Sequence, residues 1–273
     1  MHEDIKVTLL GTGTSGGVPS LGCHCEVCES TDPRDRRLRC VVLVESASAR
    51  VLIDCGPDIR QQLMPLPFKP FDAVLLTHIH YDHVGGIDDL RPFSRFGSIN
   101  IYADKGTCDH VRSIMPYCFG EKLYPGVPRL ELHTIEPHIP IKVGGMDILP
   151  IKVMHGKMPI LGFRIGRFAY ITDMKTIDDS ELPYLEGVDT LVVNALRFEP
   201  SHHSHQVVSE AVQFAHSIGA RRTYLTHMCH HIGLYATVEK QLPDGVNLAY
   251  DGMVIEIKPK SNDRFGLKHS GKG

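Results

Sequence analysis

The stretch LLTHIHYDHVGG, residues 75–86, sets an apolar run against an abrupt cluster of His78, His80, Asp82 and His83. FDAVLLTH has the composition of a buried strand, and a strand that continued would send alternate side chains to opposite faces. The H-x-H-x-D-H spacing, closed by Gly85 and Gly86, reads instead as a tight loop that turns several imidazoles and a carboxylate towards one point. Neutral imidazole and carboxylate donors suit Zn, Mn or Fe. Two metal ions are expected.

The rest of the chain supplies a setting for such a site. With 273 residues, 42% of them hydrophobic, it can bury a sizeable core. No repeat or Pro-, Gly- or Ser-rich linker divides it, so one domain over residues 1–258 is expected, with residues 259–273 as a mobile tail. Lys and Arg number 29 against 32 Asp and Glu, and a net charge of −3 gives no general attraction for nucleic acid or an anionic membrane. No apolar run approaches the roughly 18 residues of a membrane span. MHEDIKVTLL lacks the basic start and apolar stretch of a signal peptide, and a cytoplasmic location is expected.

Strands alternate with loops and short helices. IKVTLLGTG reads as a strand ending in a glycine-rich turn, and CVVLVES and RVLIDCG as a hairpin pair. INIYAD, MDILPIKVMHG, LGFRIGRFAYITD, VDTLVVNALRF, RRTYLTHMCHH and GMVIEI supply further strands. DIRQQLM, GTCDHVRSIM and the amphipathic HQVVSEAVQFAHSIG read as helices, and GGIDDLRPF as a helix start. Polar residues with ligand chemistry recur just after strands, where the loops of a layered α/β fold converge. GTGTSGG lacks both the P-loop and the full G-x-G-x-x-G pattern, so it reads as a tight turn towards the site rather than a phosphate cradle. Cys40, Cys55, Cys108 and Cys118 have no partner close in sequence and read as packed small hydrophobes.

H-x-H-x-D-H followed by His155 in VMHG, Asp173 in AYITDMK and His227 in YLTHMCHH resembles the metallo-β-lactamase superfamily, over residues 5–257. The resemblance implies an αββα sandwich of two mixed β-sheets flanked by helices. It also implies two divalent cations, Zn or Mn: His78, His80 and His155 on one, Asp82, His83 and His227 on the other, and Asp173 bridging them. Such a pair can lower the pKa of bound water from 15.7 to about 7, so hydrolysis by hydroxide held between the cations is expected.

Cys23, Cys25 and Cys28 stand in C-x-C-x-x-C spacing, and His230 is the natural fourth donor of a closed Cys₃His zinc site. That site is expected to be structural, tying a loop at about residues 20–30 to the loop that carries His227. The cysteine cluster after GTGTSGGVP, with T-H-x-x-H near the end, resembles the phosphoribosyl 1,2-cyclic phosphate phosphodiesterase subfamily. This implies a small phosphorylated substrate, cleavage of a cyclic phosphate diester, and a homodimer. By the same resemblance His205, at the start of the helix HQVVSEAVQFA, is the proton donor to the leaving oxygen. It is grouped with Asp82 as catalytic, while His202 and His203 read as solvated loop. The competing readings are an RNA- or tRNA-processing nuclease of the same superfamily and a non-catalytic metal-binding scaffold.

Overall fold

A computed structural model describes residues 3–120, 123 and 125–258, so the expected C-terminal tail lies outside the described residues. Among the described residues, fourteen strands fall into two seven-stranded sheets. In chain order they are β1 Ile5–Gly11, β2 Val41–Glu45, β3 Arg50–Ile53, β4 Ala73–Leu75, β5 Ile99–Ala103, β6 Leu130–Thr134, β7 Ile141–Val143, β8 Met146–His155, β9 Met158–Ile165, β10 Phe168–Ile171, β11 Thr190–Asn194, β12 Arg222–Thr226, β13 Val246–Leu248 and β14 Met253–Ile257. The first sheet runs β14-β1-β2-β3-β4-β5-β6 and the second β13-β12-β11-β10-β9-β8-β7. The helices are α1 Ile59–Leu63, α2 Tyr81–Val84, α3 Lys105–Ile114, α4 Val208–Ser217 and α5 Tyr235–Val238, with a 3₁₀ helix at Ile87–Phe96.

Strict alternation in the first sheet sorts its side chains between two cores. Val42, Val44, Val51, Ile53, Ala73 and Leu75 face the second sheet, where they join Ile148, Ile151, Phe163 and Leu191. Their neighbours Val41, Leu43, Leu52 and Val74 point the other way, onto Ile59 of α1, Ile87 and Leu90 of the 3₁₀ helix, and Val111 of α3. On the far side, α4 packs on β11 and β12. The result is the αββα sandwich, with both sheets mixed: β3 to β6 and β10 to β13 run parallel, and the remaining pairs antiparallel.

Local chemistry explains several boundaries. Ser46 Oγ accepts from the N–H groups of Ser48 and Ala49, closing the β2–β3 hairpin. Asp104 caps α3 by accepting from Thr107 N–H at 3.1 Å. GGIDDLRPF forms a 3₁₀ rather than an α-helix, with Pro92 inside it unable to donate. The expected helix start at His205 is also corrected, because α4 begins at Val208. The Gln206 backbone donates to Met174 O at 3.0 Å and accepts from Leu196 N–H at 2.9 Å, and Val207 is extended, which leaves His205 in the preceding loop.

The geometry that matters for a site is where the parallel strands end. β3, β4, β10 and β12 deliver Asp54, His78, Asp173 and His227 within three residues of their last strand positions, and antiparallel β8 ends on His155 itself. Leu161 N–H donates to Thr77 O at 3.0 Å, joining the two sheets at that end.

Phe163 is fully buried between the sheets. Phe163→Ala is expected to lower unfolding stability by about 3–5 kcal/mol, measured by urea denaturation of the metal-loaded protein.

Candidate metal centre

Three of the buried imidazoles at these strand ends, His78, His83 and His155, have Nδ1 anchored and the other nitrogen turned inward. His83 Nδ1 donates to Asp54 Oδ2 at 2.7 Å. Thr77 Oγ1 donates to Asp54 and accepts from His78 Nδ1 at 2.9 Å, so one buried carboxylate orients two imidazoles. His155 Nδ1 lies 2.7 Å from Asp173 O and 2.9 Å from Ser204 O, and since carbonyls only accept, Nδ1 carries the proton. In the neutral form of all three rings Nε2 is therefore the lone-pair nitrogen, the arrangement by which a neighbouring hydrogen bond prepares a metal-binding imidazole.

The inward nitrogens converge. His78, His80 and His155 form one group of donor atoms, and Asp82, His83, Asp173 and His227 another, each with its atoms within 4.8 Å of one another. Asp173 also groups with His155 and His205, so it adjoins both sides. His83 Nε2 is 3.2 Å from Asp82 Oδ2 and 3.3 Å from Asp173 Oδ2, and His227 Nε2 is 3.0 Å from Asp173 Oδ1. These contacts lack hydrogen-bond geometry: His78 Nε2, His83 Nε2 and both His227 nitrogens are buried without a hydrogen-bond partner. Buried nitrogens are costly when unsatisfied, and a cation accepting their lone pairs removes the cost. The donor set fits two metal ions.

Charge at the centre points the same way. Burial opposes charge on His227 and His83, yet the facing carboxylates outweigh it, raising His227 to about 9 and His83 well above the ordinary imidazole range. Burial also resists ionisation of Asp173 and Asp82, but the neighbouring imidazoles hold both well below the usual carboxylate range. Such a pocket demands positive charge between its carboxylates, which a divalent cation supplies.

The backbone is bent to make this possible. Asp54, Asp173 and His227 have φ of 65°, 58° and 56°, a left-handed conformation uncommon outside glycine. Asn194 braces the turn after Asp173, accepting from Met174 N–H at 2.7 Å and donating to Met174 O at 2.9 Å. GTGTSGG braces the turn after His227, where Thr14 N–H donates to Met228 O at 3.0 Å and Met228 N–H to Thr12 O at 3.0 Å. Gly56 is required by close approach, because a Cβ there would sit 2.1 Å from Asp82 O.

His205 lies beside the centre, with Nε2 3.1 Å from Asp173 Oδ1 and Nδ1 3.1 Å from His202 Nδ1. Burial lowers it to about 4 despite the Asp173 contact. His202 is thus engaged with His205 rather than simply solvated, while His203 is exposed.

A second cluster stands apart in chemistry. His230 Nδ1 lies 3.2 Å from Cys23 Sγ, 3.5 Å from Cys25 Sγ and 3.4 Å from Cys28 Sγ. The Cys28 backbone N–H lowers the Cys25 thiol to about 6, whereas burial raises Cys28 to about 11. Three sulfurs around one imidazole nitrogen make a closed set of four donors. Asp54, Thr77 and Asn194 were not among the residues marked by motif spacing, although Asp54 follows its strand as the metal donors follow theirs.

A profile described as the beta-lactamase superfamily domain matches residues 49–228. The crystal structure of a diphosphatase from the PhnP family superposes with a TM-score of 0.87 and 38% identity, covering 94% of this chain and 98% of that one. The chain belongs to the metallo-β-lactamase superfamily, within the PhnP family. It is 40% identical over 257 residues to an octanoyltransferase of Porphyromonas gingivalis, covering 94% of this chain and 52% of that protein. It is also 32% identical over 123 residues to coenzyme PQQ synthesis protein B of Methylobacterium radiotolerans, 40% of each chain. The chain thus spans about half the length, or less, of these curated relatives. Zn(2+)-bound PqqB from Methylobacterium extorquens shares the fold at a TM-score of 0.75 and 22% identity, covering 92% of this chain and 100% of that one. Among the described residues, no helix is long and apolar enough to cross a membrane.

Asp54→Asn keeps the side chain's shape but weakens the anchor for His83 and, through Thr77, His78. Metal affinity is expected to fall about 10–100-fold, measured by competition with a chromophoric chelator.

Proposed function

We propose that this protein is a metal-dependent hydrolase that cleaves a phosphoric diester on a small phosphorylated molecule, with cyclic ribose phosphates the leading substrates. The observation that carries this reading is the convergence of seven donor side chains on two adjoining groups around Asp173, with the inward nitrogens of His78, His83 and His227 left without hydrogen bonds. His78, His80 and His155 would hold one cation, and Asp82, His83 and His227 the other, with Asp173 shared. When bound, the pair supplies an activated water near neutral pH and neutralises charge on phosphoryl oxygens.

The chain's own residues do the rest. The strand-end turns hold the donors rigid, so little reorganisation is needed when substrate arrives. Asp82 acts as the carboxylate of the H-x-H-x-D-H loop beside the reacting phosphate. His205 gives a proton to the departing alkoxide from the side of Asp173. Since burial keeps His205 neutral at neutral pH, it must first take up a proton, which an adjacent anionic phosphate favours. The cluster of Cys23, Cys25, Cys28 and His230 would hold a structural zinc that fixes the loop after β1 to the segment following His227.

A second reading is favoured by the PhnP-family neighbour, a diphosphatase 38% identical to this chain. A phosphoanhydride bridge needs the same donors and differs only in its leaving group. Against an RNA-processing role stands the net charge of −3, which gives no general attraction for a polyanion.

The deciding experiment offers Mn- and Zn-loaded protein a panel of ribose 1,2-cyclic phosphate, 2′,3′-cyclic nucleotides and nucleoside diphosphate esters, followed by phosphorus NMR. Opening of the cyclic diesters supports the first reading, cleavage confined to the diphosphates the second, and no turnover of any member refutes both. His205→Ala is expected to lower kcat by about 10²–10⁴-fold while elemental analysis finds the metal content unchanged. Cys25→Ser is expected to remove one equivalent of zinc and lower Tm, with the active-site metals retained.

A further inference from the structure

His80 is the one exposed residue among the seven donors, so the centre opens to solvent on its side. A cavity of about 590 Å³ lies there, and His80 shares its wall with Ile79, Tyr81, His110, Ile114 and Tyr117. A volume of this size is within the range of small-ligand sites, and the mixture of apolar walls with a few polar groups is their usual composition. If phosphate sits at the donors, the remainder of a substrate leaving by this opening lies against these side chains.

The walls are both exposed and held. Tyr81 is 70% exposed, Tyr117 45% and Ile114 44%, an unusual concentration of large apolar surface beside a reactive centre. Yet the Tyr81 ring rests on Gly85, where a Cβ would come within 2.6 Å of its Cε2. The Tyr117 hydroxyl donates to Asp88 Oδ1 at 3.0 Å. Rings fixed before a ligand arrives lose little freedom on binding it.

We propose that this cavity receives a flat heterocyclic ring, so that the substrates are nucleotides whose base lies between Tyr81 and Tyr117. Phenol faces stack on any nucleobase, and His110 on the same wall offers a hydrogen-bond partner to a ring edge, whereas an alkyl chain could neither stack nor hydrogen-bond there. The assignment rests on the reading that the metal donors hold the phosphate, and it narrows that reading from small phosphates in general to base-bearing ones.

Binding separates the two ideas. AMP and ribose 5-phosphate are titrated calorimetrically into metal-loaded wild type, Tyr117→Ala and Ile114→Glu, neither variant touching a metal donor, with metal content measured in each. Wild type is expected to bind AMP at least about tenfold more tightly than ribose 5-phosphate. That ratio should fall towards one in both variants and survive in Tyr117→Phe. Equal affinities in wild type, or a ratio that persists in both variants, overturns the base subsite. A ratio that behaves as expected in a protein that hydrolyses no phosphate ester leaves the subsite standing and removes the hydrolase reading instead.

Discussion

Asp54 is fully buried, accepts from His83 Nδ1, and accepts from the Thr77 hydroxyl, which in turn accepts from His78 Nδ1. Burial raises its carboxyl even though His83 and Thr77 pull the other way, so the group is kept in place by these partners and not by solvent. Directing the Nδ1 proton of His83 to this carboxylate, and that of His78 to the Thr77 hydroxyl it orients, determines which nitrogen of each faces the centre. Without that anchor the imidazoles could rotate or exchange tautomers, and the donor set would lose its geometry.

The architecture and the chemistry are joined at the ends of the parallel strands. β3 and β4 from one sheet, and β10 and β12 from the other, finish at the same edge of the sandwich. Chain direction reverses there, and three non-glycine residues adopt positive φ at the turn. The core between the sheets supports that strain: Ile53, Ile171 and Leu225, one or two residues before the positive-φ positions, are all fully buried. A packed, incompressible interior lets a few unfavourable backbone conformations persist where they aim side chains.

Much of the fold was legible because β2, β3 and β4 alternate between two apolar environments and therefore look like strands wherever they are met. Strands β6, β7 and β13 were not marked, and all three pair on only one side at a sheet edge. LELHT in β6 carries a mixed polar pattern, and its identity as a strand comes from pairing with β5 rather than from its own composition. The helix expected from His205 begins three residues later for a similar reason. Hydrogen bonds to Met174 and Leu196, distant in sequence, hold residue 206 outside the helix where local pattern favoured one.

The chemistry of the centre was determined by sequence alone to the extent that ligand spacing is local: H-x-H-x-D-H and C-x-C-x-x-C place their donors within a single loop, and no other part of the chain is needed to bring them near one another. Tertiary structure decided what spacing cannot encode. Asp54 reaches His83 across 29 positions, Asn194 braces Met174 across 20, and Cys23 approaches His230 across 207. Pairing of β3 with β4 and of β10 with β11 makes the first two contacts, and the approach of loops from the two sheets makes the third, because only tertiary packing brings such distant side chains to the one atom each must hold.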